Sequence, residues 1–223
     1  MNKYNRLRCF WVVPLVLLIY TCGSQDPETN GQVAHEVVLF PQGIRWKQLP
    51  IQYRIASSVP QSFRSEIQSG FEAWNQIVSK MVFKYKGTKH LDQDDLSPDH
   101  TVNQNVVFTT EQLGTLTSET DVSSGRIPLG RTFLYGLTYI RKADIYLFDF
   151  TNNYVTGRPE TGDTYSIKSV VMHEAGHMLF GPEHSQDPSS IMTSVLYPKG
   201  HRLEKLFLGS SDIAKFQTTY GDM

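Results

Sequence analysis

The segment His173–His184, "HEAGHMLFGPEH", constrains this chain more than any other stretch. Two histidines stand four apart with a glutamate after the first, and residues 164–179 around them follow a helical pattern. Residues four apart share one face of a helix, so His173 and His177 can offer two imidazole nitrogens to one metal ion. Glu174 lies next to them, within reach of a metal-bound water. A Gly-Pro break at Gly181 and Pro182 follows, and then a third histidine, His184. Beyond that break a turn can place His184 independently of the helix. With 7 histidines in 223 residues, HExxH arises by chance in only about 1% of such chains; the alternative, a helix with two surface histidines, becomes a poor account once the longer context is added.

The chemistry that fits is metal-assisted hydrolysis. A catalytic zinc site keeps one open position, where bound water with its pKa lowered toward ~7 is the nucleophile. Glu174 would take the proton of that water and pass it to a leaving amine.

Length allows one full-sized domain, and 39% hydrophobic with 12% aromatic residues describes an ordinary folded chain. A net charge of −1 gives no reason to expect nucleic acid as a partner. The N-terminus is a separate object. Lys3, Arg6 and Arg8 precede an apolar run from Phe10 to Tyr20, the layout of a secretory signal peptide. The run is too short to span a bilayer comfortably, which takes ~20 residues.

The run ends in "LIYTCGSQD", which resembles the lipobox of bacterial lipoproteins, with Ile19 and Gly23 in place and Cys22 as the residue that is lipidated. The expected layout is a signal peptide over 1–21, a lipidated Cys22 with a polar tether over 22–46, and a catalytic domain over 47–223. The chain is then exported and held at the cell envelope or surface by its lipid; an ordinary soluble export signal is the alternative. Cys9 would leave with the signal, so the domain has no disulfide. Taking Lys3, Arg6 and Arg8 from the 21 basic residues leaves 18 against 22 acidic ones, a mildly acidic mature chain.

Along the domain, "LPIQYRI" alternates apolar and polar residues as a strand does. Phe63, Ile67, Phe71, Trp74, Ile77 and Val78 fall at helical steps of three and four. "MVFKYKG", "NQNVVFTT", "RTFLYGLTYI" and "ADIYLFDF" are strand candidates rich in β-branched and aromatic residues. After the histidine helix, "SSDIAKFQTTYG" reads as a last helix with Ser and Asp as N-cap candidates.

The longer context "HEAGHMLFGPEHSQDPSSIMTSVLYP" resembles the matrixins, the matrix-metalloproteinase-like branch of the metzincin zinc endopeptidases, whose pattern is HExxHxxGxxH followed by a methionine-containing turn. Gly181-Pro182-Glu183-His184 matches the Gly-x-x-His segment, and Met192 follows His184 at the family's distance. "LPIQYRI", "FEAWNQI", "ADIYLF" and the closing helix are similar to matrixin elements in the same order, so the likeness covers roughly residues 47–222. It implies an α+β (α/β-like) zincin fold with three main helices. Its sheet would be twisted, five-stranded and mostly parallel, with one antiparallel edge strand along which substrate lies. It further implies one catalytic zinc ion held by His173, His177 and His184, Glu174 as general base, Met192 in the turn, a protein or peptide substrate and a monomeric enzyme.

One departure stands out. Met178, Leu179 and Phe180 fill a gap that holds two residues in the family, so His184 arrives one position late. One extra residue rotates a rigid helix by about 100°. The expected remedy is one more helical position or a bulge at Leu179–Gly181, with Phe180 in the core. The alternatives are Glu183 as ligand in place of His184, or a non-catalytic surface lipoprotein that binds a partner on a metzincin scaffold. The presence of Glu174 favours the enzyme. His90, Asp92 and His100 lie where family members often hold structural zinc and calcium. No glycine-rich loop accompanies them, and with Asp94 and Asp95 nearby a solvated acidic loop is expected, so neither structural Ca2+ nor a second zinc has a clear motif. His35 and His201 are expected at the surface. Residues 23–46 hold no cysteine and are too short for the latency domain of animal matrixins, so activity is either constitutive or controlled otherwise.

Overall fold

The structure, a computed structural model, describes residues 18–24, 44–77, 80–90, 105–110, 128–135, 139–148, 154, 164–196 and 204–223. Its strands are β1 (Leu18–Ser24), β2 (Ile51–Ala56), β3 (Phe83–Lys89), β4 (Asn105–Thr110), β5 (Pro128–Tyr135), β6 (Lys142–Phe148) and β7 (Val195–Leu196). The helices are α1 (Gln61–Asn75), α2 (Ile167–Phe180) and α3 (Ser210–Tyr220). None of these is long and apolar enough to cross a membrane.

The sheet runs β3-β2-β4-β6-β5-β1-β7. Its first five strands are the expected set: β3, β2, β4 and β6 pair in parallel, and β5 is antiparallel to β6. Two strands exceed the expected count. β1 pairs antiparallel with β5, from Leu18 opposite Leu134 to Cys22 opposite Gly130, and its last two residues pair in parallel with β7. The physical reason is that an edge strand presents unpaired N–H and C=O groups, which any extended stretch of chain can satisfy. Residues 18–21, assigned to the signal peptide by sequence, take that place here.

Each helix buries one face for a visible reason. On α1, Ile67, Phe71 and Trp74 fall at steps of three and four and are all within 1% of complete burial. Phe71 stacks on Tyr53 of β2 with ring centroids 3.9 Å apart. The helix ends at Asn75, whose side-chain oxygen accepts from the backbone N–H groups of Val82 and Phe83, both at 2.8 Å, fixing the entry to β3. By contrast α2 is buried on every side: Val170, Val171, Met172, Ala175 and Leu179 are 0% exposed, with α1 on one flank and the sheet on the other. A helix hydrophobic all round belongs in the interior. That position is what makes its two histidines unusual.

Ile44 and Trp46 are core residues, 4% and 8% exposed. The domain therefore begins before residue 47, and what sequence took for the end of a tether is packed chain. The N-cap of α3 is Gly209, not a serine or aspartate. Asp212 sits at the third helical position, where its carboxylate accepts the Gly209 N–H at 2.7 Å.

Candidate metal centre

The side chains of His173 and His177 leave buried α2 on the same face, four residues apart, and are 0% and 1% exposed. Each ring is oriented by a backbone carbonyl: His173 Nδ1–H donates to Ile191 O at 2.7 Å and His177 Nδ1–H to Gly181 O at 2.9 Å. A carbonyl can only accept, so both rings carry their proton on Nδ1. Burial holds both in the neutral form, with His173 pushed down to about 3 by desolvation first and the neighbouring His184 second. His177 is likewise lowered well below the ordinary histidine range, by desolvation and then by His173. The two Nε2 atoms consequently face each other as lone pairs only 3.0 Å apart. Two acceptors at that distance repel unless an electrophile lies between them, so the donor set itself fits a cation.

His184 completes the group. Its ring lies 5.3 Å from that of His173 and nearly parallel to it, and 4.9 Å from that of His177 and nearly perpendicular. The ligand atoms of the three imidazoles all fall within 4.8 Å of one another. Three imidazoles brought this close together suit zinc, which is borderline-soft and four-coordinate and in catalytic sites takes three protein ligands.

The late position of His184 is absorbed at the end of α2. The helix runs on through Phe180, one more helical position as expected, and the chain reverses at Gly181 with φ +81° and ψ −157°. That φ is open to glycine and strained for other residues. Helix ends leave four carbonyls to be satisfied, and three of them find donors here: Gly181 N–H reaches His177 O at 3.0 Å, Trp46 Nε1–H reaches Met178 O at 2.7 Å, and the Tyr220 hydroxyl reaches Leu179 O at 2.6 Å. Phe180 is 6% exposed and packs edge-on against Trp74. Glu183 points elsewhere, 60% exposed with its carboxylate 3.6 Å from Lys215 Nζ. Asp187 is also turned away and accepts from the Ser189 N–H and hydroxyl at 2.8 and 2.7 Å.

Beneath the histidines, Met192 is 2% exposed. A Cβ built on Gly176 would fall 2.0 Å from its sulfur, so the turn presses directly on α2 at the residue between the two imidazoles. The turn is tied internally, Ser185 N–H to Met192 O at 2.7 Å and Met192 N–H to Ser190 Oγ at 2.9 Å. It is also tied to α3, because Asp212 accepts from the Ile191 N–H at 2.8 Å and from the Ser190 hydroxyl. A relay of contacts thus runs from α3 through Asp212 and Ile191 to the ring of His173.

Glu174 is 0% exposed and lies against β5, where the Thr132 hydroxyl donates to its carboxylate. Sequence reasoning named the three histidines, Glu174 and Met192 but missed Thr132, Asp212 and Trp46. Alternation along β5 could have placed Thr132 on the inward face, though nothing in the sequence says which residue it meets. His90 is exposed beside Ser57 Oγ, 3.2 Å away. Asp92, Asp94, Asp95, His100, His35 and His201 lie outside the described residues.

Compared with known protein families, residues 45–221 match the family model described as Matrixin. No curated protein matches the chain.

Proposed function

The chain belongs to the matrixins, a family of zinc endopeptidases, and from that premise we propose that it cleaves protein or peptide substrates at the centre formed by His173, His177 and His184, with Glu174 as general base. One observation carries the proposal: three convergent imidazoles beside a buried glutamate that is not one of them. Zinc, when bound there, supplies a Lewis acid for the scissile carbonyl and lowers the pKa of water. Glu174 receives a proton from the attacking water at its carboxylate and delivers it to the leaving amine nitrogen. Burial favours the neutral form of His173 and His177, the form in which an imidazole binds a metal.

An extended substrate would lie along β5, in the place that Leu18–Ser24 takes in this chain. Export with removal of residues 1–21 would vacate most of that place, leaving Cys22 as a lipidated terminus at the envelope or surface. That anchoring rests on the N-terminal sequence alone.

Glu174→Gln tests the role of the base. Peptide hydrolysis should fall by about 100 to 10,000-fold, the usual weight of a general base, while zinc stays bound. Loss of zinc together with activity, or a tenfold drop only, would refute the assignment. Cys22→Ser tests the anchor: the wild type should partition into detergent and the variant into water or remain unprocessed. A wild type already found in the aqueous phase overturns it in favour of simple secretion.

A further inference from the structure

We propose that Thr132 is a positioning residue for Glu174, holding the carboxylate in one orientation from the sheet while Gly130 leaves the space for it. The inference rests on the peptidase function proposed above. Thr132 Oγ1 lies 2.5 Å from Glu174 Oε2 and 3.1 Å from the Glu174 backbone oxygen. Both acceptors lack hydrogens, so the hydroxyl is the donor, and its single proton goes to the nearer atom. Thr132 and Glu174 are each fully buried, so bulk water does not compete for that bond.

Gly130 and Thr132 are two apart on β5 and share one face of the strand. A Cβ at Gly130 would stand 3.0 Å from both Cγ and Oε1 of Glu174. The carboxylate therefore lies flat along this face, with Oε2 at Thr132 and Oε1 at Gly130. Glutamate is a long side chain with several rotatable bonds, and a base that must meet one water from one direction gains from being fixed beforehand. His173 and His177 are fixed by the loops after α2, whereas Glu174 is fixed by the sheet, so the base and the ligands answer to different parts of the fold.

Thr132→Val keeps the size and branching of the side chain and removes the hydroxyl. A hydrogen bond to a charged group is worth enough that kcat for a quenched-fluorescence peptide should fall roughly 10 to 100-fold, with KM and zinc content unchanged. Thr132→Ser restores the donor and should bring kcat back to within a few-fold of wild type. A crystal structure of metal-free Thr132→Val should show the Glu174 carboxylate turned away from β5. The inference is overturned if Thr132→Val keeps the wild-type kcat, if Ser behaves as Val does, or if Glu174 stays in place in the variant crystal. If wild type hydrolyses no peptide, the peptidase proposal fails on its own account, and the Glu174 orientation in the two crystals still decides whether Thr132 sets it. Should Thr132→Val not fold, Gly130→Ala perturbs the same carboxylate from its other end and is expected to lower kcat with zinc retained; an unchanged kcat there counts against the cradle.

Discussion

Replacing Gly176 by alanine would test whether Met192 is wedged against the helix that carries the imidazoles. In an ordinary helix interior the change stabilises by about 1 kcal/mol, because glycine is the poorer helix former. Here the new Cβ would meet Met192 Sδ at 2.0 Å, with Met192 Cε and Trp74 Cζ2 both at 3.1 Å. Comfortable contacts between such atoms are ~3.5–4 Å, so the sulfur must retreat by roughly 1.5 Å or more. It has little room, since Met192 is 2% and Trp74 0% exposed and the Met192 backbone is hydrogen-bonded at both N and O. Overpacking of this sort costs about 1–3 kcal/mol and more where nothing yields. Set against the helix gain of about 1 kcal/mol, this leaves a net loss of up to about 2 kcal/mol. Zinc affinity should fall with it, because the preceding residue, Ile191, orients His173. The assay is urea unfolding of wild type, Gly176→Ala, Met192→Ala and the double variant, each with and without zinc. In the Met192→Ala background the glycine substitution should become neutral or stabilising, which a double-mutant cycle reads as coupling. A Gly176→Ala protein more stable than wild type, or an equal loss in both backgrounds, would refute the wedge.

Two further expectations concern the ligands and the interior. His184→Ala should weaken zinc binding by more than the 10–100-fold typical of losing an outer hydrogen-bond partner, while Glu183→Ala leaves it unchanged in competition with a chromophoric chelator; equal zinc retention in both variants would remove His184 from the site. Asp144 is raised from its ordinary 3.8 to about 6, by burial first, against the pull of Lys142 at 2.7 Å. A carboxyl whose folded pKa is raised contributes stability that is present at low pH and lost as pH climbs from about 4 to about 6, on the order of 3 kcal/mol in all. Urea midpoints of wild type and Asp144→Asn should therefore diverge across that window and run parallel above it; parallel curves throughout would contradict the shift.

How much of this was legible in the sequence depended on whether a residue's partner was near in sequence or fixed by periodicity. His173, Glu174 and His177 share one helix, so spacing alone placed them. Phe63 to Trp74 gave α1 by the same logic. His184 was legible only with the resemblance, because the turn at Gly181 depends on Trp46 and Tyr220 holding the last carbonyls of α2, and those residues are far away along the chain. Trp46 itself was taken for tether, since a short stretch with no period gives no sign of burial. β7 is two residues long and β1 pairs with strands distant in sequence; neither carries a pattern of its own. Thr132 was hidden for a different reason: alternation gives its face, but only the crossing of α2 over β5 says that a glutamate waits there.

Asp212 gives the site an order of assembly as well as a support. Its carboxylate holds the Ile191 N–H, and Ile191 in turn orients His173, yet Asp212 and Tyr220 follow the three histidines in the chain. A ribosome adds about 5–20 residues each second and releases the N-terminal part first. In order of synthesis the three imidazoles therefore precede the helix that braces them. A chain cut before α3 would carry all three imidazoles without the carboxylate that holds the Ile191 N–H, and it is expected to bind metal more weakly than the whole domain.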